Sequence, residues 1–460
     1  MNIKEVIKHA NDRVRYVPQY EAILDVVNGE LLEHVQASLS QELSPEAYNI
    51  ASKRISSINV LRRIVKKLSR SYLTEPFRYC SEPTDLDLVR EYTVNSEIDE
   101  VMNKAETLLN TNRHFALEPY IEEGKLEIRV LAPHEFTVYS DNQNDPTEPT
   151  ALIKFMGSEE VLLDKLMTSV NIYWIYTDEQ FIICDSSGEV RSVQPNPFGE
   201  IPFVYANDCE FELQPEPDQD SYANAVLIPK LLTDLNYAVQ FQSHSIMYGI
   251  DIDAKNIKGT PDSLWAINSQ EGENKKPQIG ILSPQVQVDK VLGLVNYTIA
   301  AWLETRGVRV GTMSSTDASS AASGVSKIID ESDATALIKE NQKFLRHQEQ
   351  KLWSLIAKFH NLFMSEMDVT QKAFSEPLYV SINYDEIKPI PNPTEERAKM
   401  QFLLDNHLTT RRMLLQQIYP NHTEEELDKL ELELDAQKQA SMQDNQPILN
   451  QENKNGQTGK

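Results

Sequence analysis

Residues 288–367 constrain the fold more than any other stretch of the chain. Val288, Val291, Leu292, Val295, Ile299, Trp302 and Leu303 recur at steps of three and four, so they line one face of a helix. That face has to pack on something. From Gly307 to Gly324 the sequence GVRVGTMSSTDASSAASG has almost no large side chain after Val310, and its Ser, Thr, Asp and Gly favour local turns over a continued helix. From Ser323 the apolar spacing resumes through Val325, Ile328, Ile329, Leu337, Ile338, Leu345, Leu352, Leu355, Ile356, Phe359, Leu362 and Phe363, with no proline before Met367. At about 1.5 Å per residue this second helix is a rod of about 60 Å. A small single domain rarely needs such a rod, whereas a ring or bundle of several chains often does.

The rest of the chain reads as α+β. Residues 1–75 are helical in pattern, with Ile3, Val6, Ile7, Ile23, Leu24, Val27, Leu31, Leu32 and Val35 as candidate core positions. Ser44-Pro45-Glu46 places an N-cap before a proline at the first helical position, which predicts a helix running to about Tyr72. Its polar face carries Lys53, Arg54, Arg62, Arg63, Lys66, Lys67 and Arg70, a local reversal of sign in an acidic chain. A solvated face, or one that ion-pairs with an acidic neighbour, explains it better than nucleic-acid contact does. Residues 95–118 read as another helix. Short β-branched and aromatic runs follow at 125–130, 135–139, 151–155, 171–176, 180–184 and 190–193, separated by turn signals, and 196–208 ends in one more strand.

The acidic connector 210–220 leads into a helical stripe over 221–250, in which Pro229 begins or kinks the regular part. Strands are expected at 264–267 and 278–282, and again at 378–384. Pro389, Pro391 and Pro393 stiffen a connector to a charged helical segment near 395–439, with caps at Thr394 and Thr423. The tail from Gln437 is Gln-, Asn- and Lys-rich and is expected to be disordered.

The 460 residues suffice for two to four domains, and a net charge of −26 argues against gripping nucleic acid, which takes cationic surface. A surface that repels phosphates can still act as a conduit. Three cysteines without a close pair suggest buried free thiols. No apolar run approaches the roughly 20 residues that span a bilayer, and the N-terminus lacks the apolar core of a signal peptide, so the expected setting is cytoplasmic and free of membrane. No phosphate loop, dinucleotide fingerprint, HExxH or GxSxG is present, and the histidines are scattered. Asp251 and Asp253 read as a hydrated turn. No catalytic residue, metal or cofactor is expected.

Five stretches, taken in order, resemble the portal proteins of tailed bacteriophages from about residue 48 to about 435. They are NVLRRIVKKLSRSYLTEPF at 59–77, APHEFTVYS at 132–140, the turn, strand and acids of 196–220, SGVSKIID at 323–330, and LTTRRMLLQQIYPNHTEEELDKLELELD at 408–435. The resemblance implies a portal-like subunit with an α+β wing at 1–220, an outgoing stem helix at 221–250, a clip at 251–287 and a returning stem helix at 288–306. It further implies a channel loop at 307–322, a long helix with a closing wing strand at 323–394, a helical crown at 395–436 and a tail at 437–460.

By the same resemblance, about twelve copies form the capsid-vertex ring through which double-stranded DNA is packaged and ejected. The implied partners are the terminase large subunit, a head-tail adaptor, and major capsid and scaffold proteins. The setting is the virion, and the host cytoplasm during assembly. Gly311, Ser314, Ser315, Thr316, Ser319 and Ser320 are expected in the channel loop as low-friction contacts. Arg306, Arg309 and Lys327 are expected to touch phosphates transiently, because many fixed cations would hold DNA back. Leu352, Leu355 and Phe359 are expected at the subunit interface, with their own subunit's core as the alternative. Arg62, Arg63, Lys66 and Lys67 form the basic patch. Another virion component, such as an adaptor or scaffold, or a metal-dependent α+β enzyme, are the competing readings.

Overall fold

A computed structural model describes residues 2–163, 166–243, 246–250, 264–267, 278–282, 288–308, 324–365, 372–384, 400–406, 409–418 and 428–431. The chain divides into two units, Met1–Ile387 and Lys388–Lys460.

The first unit opens with helices α1 (Ile3–Val14), α2 (Val17–Asn28), α3 (Leu31–Glu42), α4 (Pro45–Ala51) and α5 (Val60–Leu68). Strand β1 (Phe77–Tyr79) and helices α6 (Pro83–Asn95) and α7 (Ile98–Asn112) come next. Eight strands follow: β2 (His114–Glu122), β3 (Lys125–Leu131), β4 (Phe136–Tyr139), β5 (Ala151–Leu163), β6 (Leu166–Tyr176), β7 (Gln180–Asp185), β8 (Val190–Pro195) and β9 (Val204–Asn207). After them lie α8 (Gln219–Ser243), β10 (Ile246–Ile250), β11 (Leu264–Ile267), β12 (Gln278–Leu282), α9 (Val288–Thr305), α10 (Gly324–Phe363) and β13 (Ser381–Asn383).

Strands β4 to β8 form an antiparallel meander, β3-β2-β9 a second antiparallel sheet, and β1 pairs with β13. The expected strand at 378–384 is thus the short partner of β1. The sheet β3-β2-β9 packs with α6, α7 and α10 around Leu345, Leu352, Trp353, Ile356, Met102, Phe115 and Leu117. A second core joins α2, α3 and α5 to α8 and α9 through Ile23, Val35, Ile64, Val65, Ile228, Val295, Trp302 and Leu303.

Three expectations are corrected. The helix from Ser44 stops after Ala51 and a short 3-10 turn, and a new helix starts at Val60. Between them, Ser56 N–H donates to Thr233 Oγ1 at 3.1 Å, and Asn59 Oδ1 caps Arg62 N–H at 2.8 Å. One distant side-chain partner and one local cap thus displace the helical ladder. The helix expected over 95–118 ends at Asn112, where Arg113 takes a left-handed φ of 67° and β2 begins. Leu32 is exposed, because Leu31, Val35 and Leu39, four apart, already fill the inward face of α3.

In the second unit, residues 400–405 are helical, and α11 (Arg411–Ile418) buries Leu414 and Leu415 while Arg412 ion-pairs with Asp428 at 2.7 Å. The expected caps at Thr394 and Thr423 and the tail from Gln437 lie outside the described residues.

Candidate functional site

An excursion of helix, sheet and helix separates the sheets of the first unit from the long helix. Strand β10 is its centre, parallel to β11 and antiparallel to β12. The outgoing helix was expected to reach residue 250, yet Ile246–Ile250 is a strand. Ile246, Tyr248 and Ile250 are β-branched or aromatic, Gly249 disfavours helix, and β10 gains ladder bonds on both sides. Pro229 lies inside α8, and Thr233 Oγ1 donates to its carbonyl at 2.7 Å.

Both body-side ends of the excursion are capped by sequence-encoded devices. Asp218 Oδ1 accepts from Ser221 N–H at 3.0 Å, which makes Asp218 the N-cap of α8. At the end of α9, Gly307 N–H donates to Glu304 O at 3.0 Å and Val308 N–H to Leu303 O at 2.9 Å. With Gly307 at φ +63°, this is a Schellman motif, with Leu303 and Val308 both buried in the second core. Its C-cap, Arg306, donates from Nη2 to Asp218 Oδ2 and to Ser221 Oγ.

The connector before α8 is strapped to the body. Tyr205 Oη donates to Leu213 O at 2.7 Å, Thr137 Oγ1 to Gln214 Oε1 at 2.6 Å, and Arg13 Nη2 to Pro215 O at 2.9 Å. Gln219 Nε2 donates to Gln19 Oε1 at 2.7 Å. The first three bonds satisfy polar groups of a segment too rich in proline to build its own ladder, and the last holds the first residue of α8.

Among the predicted residues, Arg306 is therefore engaged by Asp218 and Ser221. Arg309, Gly311, Ser314, Ser315, Thr316, Ser319 and Ser320 lie outside the described residues, and Lys327 falls in the first turn of α10. Leu352, Leu355 and Phe359 are 0%, 3% and 7% exposed and pack in this chain's own core. They were expected at the subunit interface, and a residue already enclosed within its chain has no surface left to offer a neighbour. On α5, Arg63 and Lys66 are exposed and Arg62 and Lys67 half-buried, while Val60, Leu61, Ile64, Val65 and Leu68 are buried. Arg62 lies against Gly29. Asp218, Ser221 and Leu337 were missed. Gly307 shows in the sequence as a helix stop, and its place just after the apolar stripe of α9 is the signal of a C′ glycine.

Among the described residues no three His, Cys, Asp or Glu side chains converge on a metal position. Burial lowers the pKa of His114 to about 3, so it is a neutral core ring, bonded to Asn112 O and Gln214. No helix among the described residues is long and apolar enough to cross a membrane.

These elements define an α+β chain that interposes a two-helix excursion, with a small mixed sheet between the helices, before one long helix. The family model of phage portal proteins of the SPP1 Gp6-like type matches residues 7–440, and the chain belongs to that family. Its function is that of a portal subunit, part of the ring at the capsid vertex through which double-stranded DNA is packaged and ejected. The family is structural, and its members act with capsid, DNA and terminase. No curated protein matches the chain.

Proposed function

We propose that α8 and α9 are the stem of the portal ring and that the sheet β10–β12, with the residues between its strands, is the clip. The clip docks the terminase motor during packaging and a head-tail adaptor afterwards. Residues 1–220 with α10 and β13 form the wing, residues 395–436 the crown, and about twelve copies close the ring. Capsid and scaffold proteins meet the ring during assembly in the host cytoplasm.

Residues 307–322 form the channel loop. Gly311, Ser314, Ser315, Thr316, Ser319 and Ser320 present hydroxyls and backbone to the passing duplex, while Arg309 and Lys327 touch phosphates briefly. The charge balance of the chain supports this. DNA carries about one negative charge per 1.7 Å of axis, and a chain of net charge −26 does not hold it fast.

One observation carries the reading. The excursion leaves and re-enters the body at adjacent points, Asp218 and Arg306, and the chain runs from there directly into the small-residue segment. Electron microscopy of the purified protein, with its mass in solution, tests it. Rings with a central hole wide enough for a duplex are expected. A monomer or small dimer at high concentration would overturn it.

A further inference from the structure

Asp218 and Arg306 are 88 residues apart in sequence, and each terminates a different helix of the excursion. Each charge sits at the helix end that favours it, the carboxylate at an N-terminus and the guanidinium at a C-terminus. The two side chains are 22% and 23% exposed, so water screens the pair less than it would a pair on the open surface.

The same short stretch is held from a second side. Gly307 lies so close to α10 that a Cβ on it would come within 2.7 Å of Leu337 Cδ1. Val308 is 1% exposed. Within three residues the end of α9 is fixed to the start of α8 and to the long helix.

Leu337 is thirteen residues along α10 from Gly324, or about 20 Å. The chain joining Val308 to Gly324 has sixteen steps, enough to reach on the order of 50 Å if extended. The anchored root decides where the segment departs.

We infer that Arg306 is a positioning residue whose ion pair with Asp218 fixes the point from which the channel loop leaves the body. This rests on the portal reading for what the loop does. Arg306 is not a phosphate contact. Its charge is matched by a carboxylate in direct contact, and that carboxylate repels an approaching phosphate.

The test compares Arg306→Gln, Asp218→Asn and the exchanged pair Arg306→Asp with Asp218→Arg in particles assembled with a packaging motor. Asparagine keeps a capping oxygen at 218 and removes only the charge. Should Asp218→Asn not fold, Asp218→Ser serves the same purpose. Both single variants are expected to form normal rings and to lower the yield of DNA-filled particles roughly tenfold, with the exchanged pair recovering at most part of it, because an arginine at 218 cannot cap α8 and each charge then sits at the helix end that disfavours it. A defect in Arg306→Gln with normal packaging by Asp218→Asn would mark a phosphate contact and overturn the inference. Loss of rings in both, or normal packaging in both, would overturn it as well. If the wild-type protein formed no rings, the portal reading would fail on its own. The pair would then be read from a double-mutant cycle in urea, where zero coupling between 218 and 306 overturns it.

Discussion

Glu349, on the long helix and without solvent exposure, accepts a hydrogen bond from Arg78 Nε at 2.6 Å. Arg78 reaches on from Nη2 to Asp99 Oδ1, also at 2.6 Å. Tyr72 Oη donates to the other carboxylate oxygen of Glu349 at 2.7 Å, and Trp353 Nε1 donates to Oε1 at 3.1 Å. One buried guanidinium thus ties β1, the start of α7 and the middle of α10 together.

Removing Arg78 leaves Glu349 buried with no countercharge. Arg78→Met is expected to cost about 3–5 kcal/mol, the usual penalty for breaking a buried pair from one side. Arg78→Lys recovers part of this, because a single ammonium cannot span both carboxylates as the planar fork does. Urea unfolding at fixed protomer concentration measures both, and a midpoint shift of Arg78→Met no larger than that of a surface Arg90→Met control would contradict the assignment.

Burial pushes the Glu106 carboxyl up from 4.5 to about 7, against the hydrogen bonds from Ser71 N–H and Oγ that pull the other way. Between those two values the folded chain holds a proton that the unfolded chain has released. Stability from this group is therefore full below about 4.5 and is lost as pH rises toward 7. Glu106→Gln has no proton to lose. Its stability relative to the wild type is expected to rise between pH 5 and pH 8, and an unchanged difference across that interval would refute the account.

The apolar period of the long helix was legible in the sequence, but not the owner of the surface it meets. Leu352, Leu355 and Phe359 are spaced to share a face, and that spacing is the same whether the face meets its own chain or a neighbour. Leu352→Ala is expected to cost about 2–5 kcal/mol in unfolding while leaving the subunit number of the ring unchanged. An altered ring with little loss of protomer stability would return Leu352 to the interface.

What was legible follows from local physics. Alternating Leu126, Ile128 and Val130 marked β3, and Ser44 before Pro45 marked the start of α4, its Oγ accepting from Ala47 N–H. What was not legible depends on distant partners. Ile246 fits the helical stripe of α8 as well as it fits β10, and only pairing with β11 and β12 decides between them. The break at 55–59 depends on Thr233, and Arg306 looked free because nothing in the sequence ties it to Asp218.

Gly307 and Gly199 separate two reasons for keeping a glycine. Both have left-handed backbones, φ +63° and φ +67°, so alanine at either carries a conformational cost of roughly 1–2 kcal/mol. A Cβ on Gly199 meets nothing within 4 Å, whereas one on Gly307 lies 2.7 Å from Leu337 Cδ1 and forces that side chain to move. Gly307→Ala is therefore expected to destabilise the protein by more than Gly199→Ala, by about 1 kcal/mol for the disturbed packing. In a Leu337→Ala background the obstruction is gone, and the cost of Gly307→Ala should fall to that of Gly199→Ala. Urea unfolding of these variants measures each cost. Equal costs for the two glycines in the wild-type background would mean that Leu337 yields freely, and that the end of α9 is held by Arg306 and Val308 without help from Gly307.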